Sequence, residues 1–330
     1  MSYLKKRLKK RYDLTLNLWK SDCHFSKKFA MIRVLDDFSH RLGTVGFSKR
    51  MHQKKDKYIL DYLKNRLIPV IDKYKDIDDV GECPDNTPIW VCWWTGKDSA
   101  PPIVKQCMKS IYHNAGNHEV HFISEDTYRD YIDIPDYIME RMNKGQMGLA
   151  HFADYIRVSL LQKYGGLWLD ATIFCSGEIP EEYFSLPFFT LKSSYRESRY
   201  ISNYQWVTFC LGGWKENVFY SFLKEAFECY WKHENVAIDY LFFDYMICLA
   251  KESIPAIGKY MDSVPENTPH RDDLQRAMNE ALPAEVFWNV IKDDTTLYKL
   301  SWREKYSEKT SDGSKSVYGY FISDLKMEDF

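Results

Sequence analysis

Residues 150–174, AHFADYIRVSLLQKYGGLWLDATIF, decide how the rest of the chain is read. Phe152, Tyr155, Ile156, Leu160 and Leu161 are apolar at helical spacing, and no Pro or Gly precedes Tyr164, so the first half reads as a helix. Gly165 and Gly166 supply the left-handed exit that ends helices. Leu167, Trp168 and Leu169 form a short apolar run suited to a buried strand, with Asp170 at its end. A carboxylate at the carboxyl end of a core strand stands where α/β sheets bind ligands. On the helix, Asp154 and Arg157 are three apart and share a face. Spacing alone leaves a blander alternative open, because mid-helix Asp–Arg pairs are commonly solvated and Asp is a common turn residue.

Upstream, Gly81–Pro88 (GECPDNTP) is a loop by composition and divides a region 1–80 from a region 81–330. Ile89–Trp94 reads as a strand, Ile103–Asn114 as a helix and Glu119–Ser124 as a second strand. This β-α-β unit predicts a parallel sheet. Downstream, strands are expected at Phe188–Leu191 and Trp206–Leu211. Helices are expected at Asn217–Trp231, Ile238–Ala250 and Gln275–Leu282. Val286–Ile291 and then Lys299–Trp302 should end the fold. Polar stretches 192–204 and 262–273 read as loops. Asp239 and Asp244 lie in aromatic surroundings, so at least one needs a polar partner or a role.

Charge is unevenly spread. Residues 1–66 carry 18 of the chain's 45 Lys and Arg but only six of its 47 Asp and Glu. Lys5, Lys6, Arg7, Lys9, Lys10 and Arg11 surround Leu4 and Leu8 in what reads as a basic helix. Such segments are drawn to anionic lipid headgroups, each basic group adding about 1 kcal/mol. A solvated helix face or a nucleic-acid-binding arm has the same charge, but no nucleic-acid motif accompanies it. No run of 18 apolar residues and no secretory leader is visible, and the eight cysteines show no C-x-x-C or zinc spacing. A protein with reduced thiols, cytoplasmic and peripheral at the inner membrane face, is the expectation.

The pattern A-x-x-x-D-x-x-R-x-x-x-L-x-x-Y-G-G-x-W-x-D-x-T, from Ala150 to Thr172, resembles the sugar-nucleotide site of capsular-polysaccharide-type glycosyltransferases. That group is related to retaining transferases with a DXD sugar-binding region and, more distantly, to the clostridial glucosylating toxins. The resemblance covers roughly residues 88–250. It implies an α/β fold of the GT-A type, a Rossmann-like nucleotide-sugar domain with a mainly parallel sheet, preceded by the basic helical region. It implies a retaining transfer of a hexose or N-acetylhexosamine, from a UDP-linked donor, to a polysaccharide or lipid-linked glycan.

On this resemblance Asp170 is the first acid of the DXD, and Asp154 and Arg157 grip the donor sugar. Trp93, Trp94 and Thr95 stand at the base, with one tryptophan expected to alternate into the core. Ser301 and Trp302 match a closing element in the toxin relatives, with ordinary strand packing as the alternative. Thr172 replaces the second acid, which weakens the implied Mn2+ or Mg2+ site on Asp170 and Thr172, since a hydroxyl is a poorer ligand than a carboxylate. Asp239, Asp244 or the His270/Asp272 loop are the candidates for further oxygen ligands, and Asp239 is the candidate catalytic acid. Two other readings share the motif: a toxin-like protein glycosyltransferase, and a non-catalytic sugar-nucleotide-binding module.

Overall fold

The computed structural model describes residues 3–43, 45–193, 200–281, 289–292 and 294–326. At its centre is a five-stranded sheet, ordered β2-β1-β3-β6-β5. Its strands are β1 (Ile89–Cys92), β2 (Val120–Ile123), β3 (Gly166–Leu169), β5 (Phe188–Thr190) and β6 (Cys210–Gly213). β1 pairs in parallel with β2 and β3, while β6 runs antiparallel to both β3 and β5. The sheet is therefore mixed rather than mainly parallel. A two-stranded ribbon, β4 (Ile173–Cys175) with β7 (Leu297–Lys299), continues from the end of β3.

Alternation along the strands builds two cores, one on each face. Ile89, Val91, Leu167 and Leu169 point to one face, where they meet Ile103, Val104, Cys107 and Ile111 of α5 (Pro102–His113). Trp90 and Trp168 point to the other, against α7 (Leu149–Tyr164), α8 (Val218–His233) and α9 (Phe242–Ser253). Both tryptophans are 1% exposed, and burying a side chain of this size contributes upward of about 2 kcal/mol. The result is a helix–sheet–helix sandwich.

Four helices precede the sheet: α1 (Tyr3–Asp22), α2 (Lys27–Arg41), α3 (Val45–Arg66) and α4 (Ile68–Tyr74). Ile59, Leu63 and Leu67 are fully buried in the same core as α8 and α9, so the helical region is packed onto the sheet domain, although Ile68 faces outward. In α1 the side chains of Leu4, Lys5, Lys6, Arg7, Leu8, Lys10 and Arg11 lie outside the described residues. α6 (Asp136–Asn143), α10 (Pro255–Ser263) and α11 (Asp273–Ala277) complete the order, with a further helix α12 (Val317–Ser323).

Three boundaries differ from the sequence reading. β6 is Cys210–Gly213, so it starts later than the expected Trp206–Leu211 and extends over Gly212 and Gly213. A Cβ on Gly212 would lie 3.0 Å from Leu167 Cδ1 and 3.2 Å from the Gly166 carbonyl, so glycine is what lets the strands close up. α9 starts at Phe242, leaving Asp239 in the preceding turn. The fold does not end at Trp302, because Val317 and Phe321 of α12 are fully buried. Half of the Val286–Ile291 segment expected near the end of the fold, residues 286–288, lies outside the described residues, as does the middle of the 192–204 loop.

Candidate active site

The parallel strands bring their carboxyl ends to one edge of the sheet, where Trp93, Ser124 and Asp170 follow β1, β2 and β3. The path of the chain from α7 into β3 depends on two glycines. Gly165 (φ 67°) donates its N–H to Leu161 O and ends the helix. Gly166 (φ 92°) starts the strand, and a Cβ there would stand 2.1 Å from the Pro88 carbonyl oxygen. Only glycine combines that backbone with that approach.

Arg157 is 4% exposed, so the Asp154–Arg157 pair is not a solvated surface pair. Its Nη1 donates to Asp154 Oδ1 at 2.6 Å and its Nη2 to Asp170 Oδ1 at 2.9 Å. Trp168 Nε1 donates to the same Asp170 oxygen at 2.9 Å. The guanidinium also lies 4.7 Å from the Trp168 ring centroid and 5.6 Å from that of Phe243. A planar fork between two carboxylates and two rings has one permitted orientation, which a lysine could not reproduce.

Lys299, at the end of β7, was not among the expected residues. Its Nζ donates to Asp170 Oδ2 at 3.1 Å and to Thr172 Oγ1 at 2.6 Å. It lies 4.8 Å from the Phe209 ring centroid, and Arg271 lies 5.5 Å from the same ring. Its backbone N–H donates to Arg271 O at 2.9 Å. No local signal in LYKLSW pairs this lysine with Asp170, 129 residues earlier; only the β4–β7 register, Ile173 opposite Lys299, does so.

Burial acts on all three acids, with different outcomes. It pushes the Asp170 carboxyl up, but the neighbouring Lys299 and Arg157 charges outweigh it and hold Asp170 below the usual carboxylate range. At Asp154 burial wins over Arg157, and the carboxyl is raised. Asp244, on the first turn of α9, is pushed up to about 7 by burial and then by the Asp154 charge. Its Oδ1 accepts from Trp206 Nε1 at 2.9 Å. Asp154 thus stands between Asp170, with which it shares Arg157, and Asp244, whose carboxyl its charge helps to raise.

The structure places Asp239 elsewhere. Its carboxylate is bound to Arg33 of α2 and accepts from the Leu241 N–H at 2.8 Å. With α9 starting four residues late, Asp239 ties the N-terminal helices to the domain, and Asp244 is the acid of this segment that faces Asp154. His270 and Asp272 are also engaged, with Asp273 and Arg271 respectively. Trp93 and Trp94 are both half-buried and pack on opposite cores, Trp94 edge-on to Phe152 at 4.8 Å. Trp93 instead meets Trp302 edge-to-face at 5.6 Å, and Trp302 is 45% exposed. Thr95 bonds Ser99 within its own turn, and Ser301 accepts from Arg303 N–H. Ser301 and Trp302 lie beyond β7, so strand packing does not account for them.

A divalent cation does not fit the residues implied for it. Asp170 Oδ1 already accepts from Arg157 and Trp168, while Asp170 Oδ2 and Thr172 Oγ1 both bind the Lys299 ammonium. Mg2+ demands about six oxygens near 2.1 Å. Among the described residues no group of three or more His, Cys, Asp or Glu is placed to hold a metal.

Two cavities lie on the side of the N-terminal helices, and neither is lined by Asp154, Arg157, Asp170 or Lys299. One of about 240 Å³ is lined by His151, a turn before Asp154 on α7, together with Arg33, Asp239 and Tyr240. The other, of about 640 Å³, is lined by Arg33, Asp36, His52, Lys55 and Asp239.

A carboxylate–guanidinium–ammonium cluster at the carboxyl edge of the sheet, built on a buried Arg157, is the candidate site of this α/β protein. The sequence model of the capsular polysaccharide synthesis protein family matches residues 40–321, and the chain belongs to that family. That membership gives it a role in capsule biosynthesis. No curated protein matches it.

Proposed function

We propose that the chain is a retaining glycosyltransferase that moves a hexose or N-acetylhexosamine from a nucleotide donor, UDP-linked in the first instance, to a capsular glycan. The observation that carries this reading is the bridging of Asp154 and Asp170 by one buried arginine at the ligand edge of the sheet. Carboxylates accept from sugar hydroxyls while the guanidinium donates in a fixed fork. The Trp93–Trp302 corner offers an aromatic wall for the base.

In the transfer, the bond from the sugar C1 to the diphosphate oxygen breaks and its electron pair stays on that oxygen. The acceptor hydroxyl oxygen forms the new bond to C1 on the same face, and its proton passes to the departing phosphate. Asp170, held ionised, orients a donor hydroxyl. Asp244 in its neutral form donates a hydrogen bond to the sugar and withdraws it on ionisation. The cavity of about 240 Å³ beside His151, one turn from Asp154 on α7, is the proposed approach of the acceptor.

A membrane surface is the proposed place of work. No helix among the described residues is long and apolar enough to cross a bilayer. At the adjacent ends of α2 and α3, however, Phe38, Leu42, Val45 and Phe47 are exposed, Val45 by 82%. The exposed Arg41, Lys49 and Arg50 flank them. Apolar side chains ringed by basic ones match an anionic headgroup layer.

The test is hydrolysis of a panel of UDP- and GDP-sugars by wild type and Asp170→Ala. Release of the nucleotide from one donor, lost in the variant, supports transfer. Nucleotide binding without turnover, even with glycan acceptors, favours the non-catalytic module. Turnover onto protein side chains alone favours the toxin-like alternative.

A further inference from the structure

We propose that Lys299 takes the place of a divalent cation in this site: its ammonium binds the diphosphate of the donor and carries the negative charge that develops there during transfer. The inference rests on the transferase reading and goes beyond it, because it makes the reaction independent of metal.

Four observations converge. The Lys299 ammonium is hydrogen-bonded to both Asp170 and Thr172, the two residues that the DXD-like pattern would offer to a metal. A divalent ion between those oxygens would meet an ammonium already there, and like charges at that separation repel strongly. The replacement of the second acid by Thr172 follows from the same arrangement. One carboxylate and one hydroxyl suit a monovalent ammonium with three donors, whereas two carboxylates and several further oxygens suit a divalent ion.

Access is the third observation. The Lys299 side chain is 22% exposed and that of Asp170 30%, while Arg157 beneath them is 5% exposed. The ammonium is thus the cation of this cluster that an arriving diphosphate meets, and its flexible stem allows it to shift from Thr172 to a phosphate oxygen. The fourth is the surrounding charge. Arg271 shares the Phe209 ring with Lys299, and its buried Nη1 has no hydrogen-bond partner. A second cation with a donor to spare strengthens the field for an anion.

In the step itself Lys299 neither gains nor loses a proton. The C1–oxygen bond breaks with its electron pair remaining on the diphosphate, and the ammonium, already facing that oxygen, stabilises the charge without prior reorganisation.

Calorimetry of UDP, GDP and uridine with wild type, Lys299→Met and Lys299→Arg, in EDTA and then in manganese, tests this. The diphosphate should bind wild type equally in both media, within about twofold. Lys299→Met should weaken it at least tenfold without changing uridine binding, and Lys299→Arg should recover most of the loss. Loss of donor turnover in Lys299→Met on the order of 10²-fold is expected in parallel, the usual effect of removing one charge-stabilising donor. Lys299→Arg keeps the charge bound to Asp170, so a misfolded Lys299→Met would not decide the matter alone. Diphosphate binding that requires manganese overturns the inference and leaves the transferase standing. So does Lys299→Met binding as tightly as wild type. If neither nucleotide diphosphate binds folded wild type in either medium, the transferase reading falls and the inference falls with it.

Discussion

Arg157 Nη2 and Asp170 Oδ1 are joined at 2.9 Å, fastening the middle of α7 to the end of β3 across 13 residues of chain. The helix exit through Gly165 and Gly166 makes this closure possible, because it reverses the chain within two residues and returns Asp170 to the level of Arg157.

Arg157→Lys should therefore be damaging although charge is kept. One ammonium cannot span Asp154 and Asp170, and Asp154, 14% exposed, is left without its partner if the lysine follows Asp170. Breaking a buried pair from one side costs about 3–5 kcal/mol. Thermal denaturation should show a loss in that range, and donor turnover should fall at least about 100-fold, the scale of one misplaced positioning group. A variant that turns over within threefold of wild type would remove Arg157 from the site.

Much of this centre was legible in the sequence because it is local. Asp154, Arg157 and Asp170 lie within 17 residues, and helix period, double glycine and apolar run fix their relation without knowledge of the rest. Lys299 and Asp244 were not legible as site residues, for two different reasons. Lys299 arrives through an antiparallel ribbon whose partner strands are over 120 residues apart, and register between distant strands has no local signal. Asp244 was visible as an acid among aromatics, but the choice between it and Asp239 turned on where α9 begins. Leu241 N–H bonds the Asp239 carboxylate, and that turn sets the helix start four residues beyond the point where the apolar pattern begins.

Trp302 is half exposed and touches Trp93 by its edge, so its removal should leave the fold intact. Trp302→Ala is expected to change stability by no more than about 0.5 kcal/mol, as at other surface positions. Aromatic contacts are worth about 0.5–1.5 kcal/mol beyond their area, so KM for the donor should rise up to about tenfold. kcat should stay within twofold, because the base lies away from the reacting carbon. A fall in kcat with KM unchanged would mean that Trp302 acts on the reacting group instead.

The membrane proposal separates two forces. Val45→Ser combined with Phe47→Ser removes apolar area at the end of α3 and leaves Arg41, Lys49 and Arg50 in place. Each large side chain contributes about 1.5–3 kcal/mol when it leaves water, so binding to anionic vesicles should weaken by well over tenfold. What binding remains should disappear at high salt, since the basic contribution is screened. Wild type that fails to sediment with anionic vesicles, or a double variant that sediments equally well, would refute this surface.

Asp244 gives the pH dependence its sign. Its carboxyl is pushed up to about 7 in the folded protein, burial being the largest cause and the Asp154 charge the next. In the unfolded chain it ionises near the ordinary carboxylate value of about 4. Between those limits the folded state keeps a proton that the unfolded state has lost. Stability therefore falls as pH rises through that window, by up to about 1.4 kcal/mol per pH unit, and the effect levels off above about 7. Asp244→Asn keeps an oxygen to accept the Trp206 Nε1 hydrogen bond but carries no charge at any pH. Its melting temperature should overtake that of wild type as pH rises and stay above it beyond neutrality. Asp22, raised to about 6 chiefly by burial, contributes a similar slope to both proteins and cancels in the comparison. If neutral Asp244 is the hydrogen-bond donor to the sugar, wild-type turnover should decline above about pH 7, while the variant, whose amide donates at every pH, should show no such limb. Parallel melting curves for the two proteins from pH 4.5 to 8.5 would mean that Asp244 is already ionised in the fold, and its assignment as the neutral partner of Asp154 would fail.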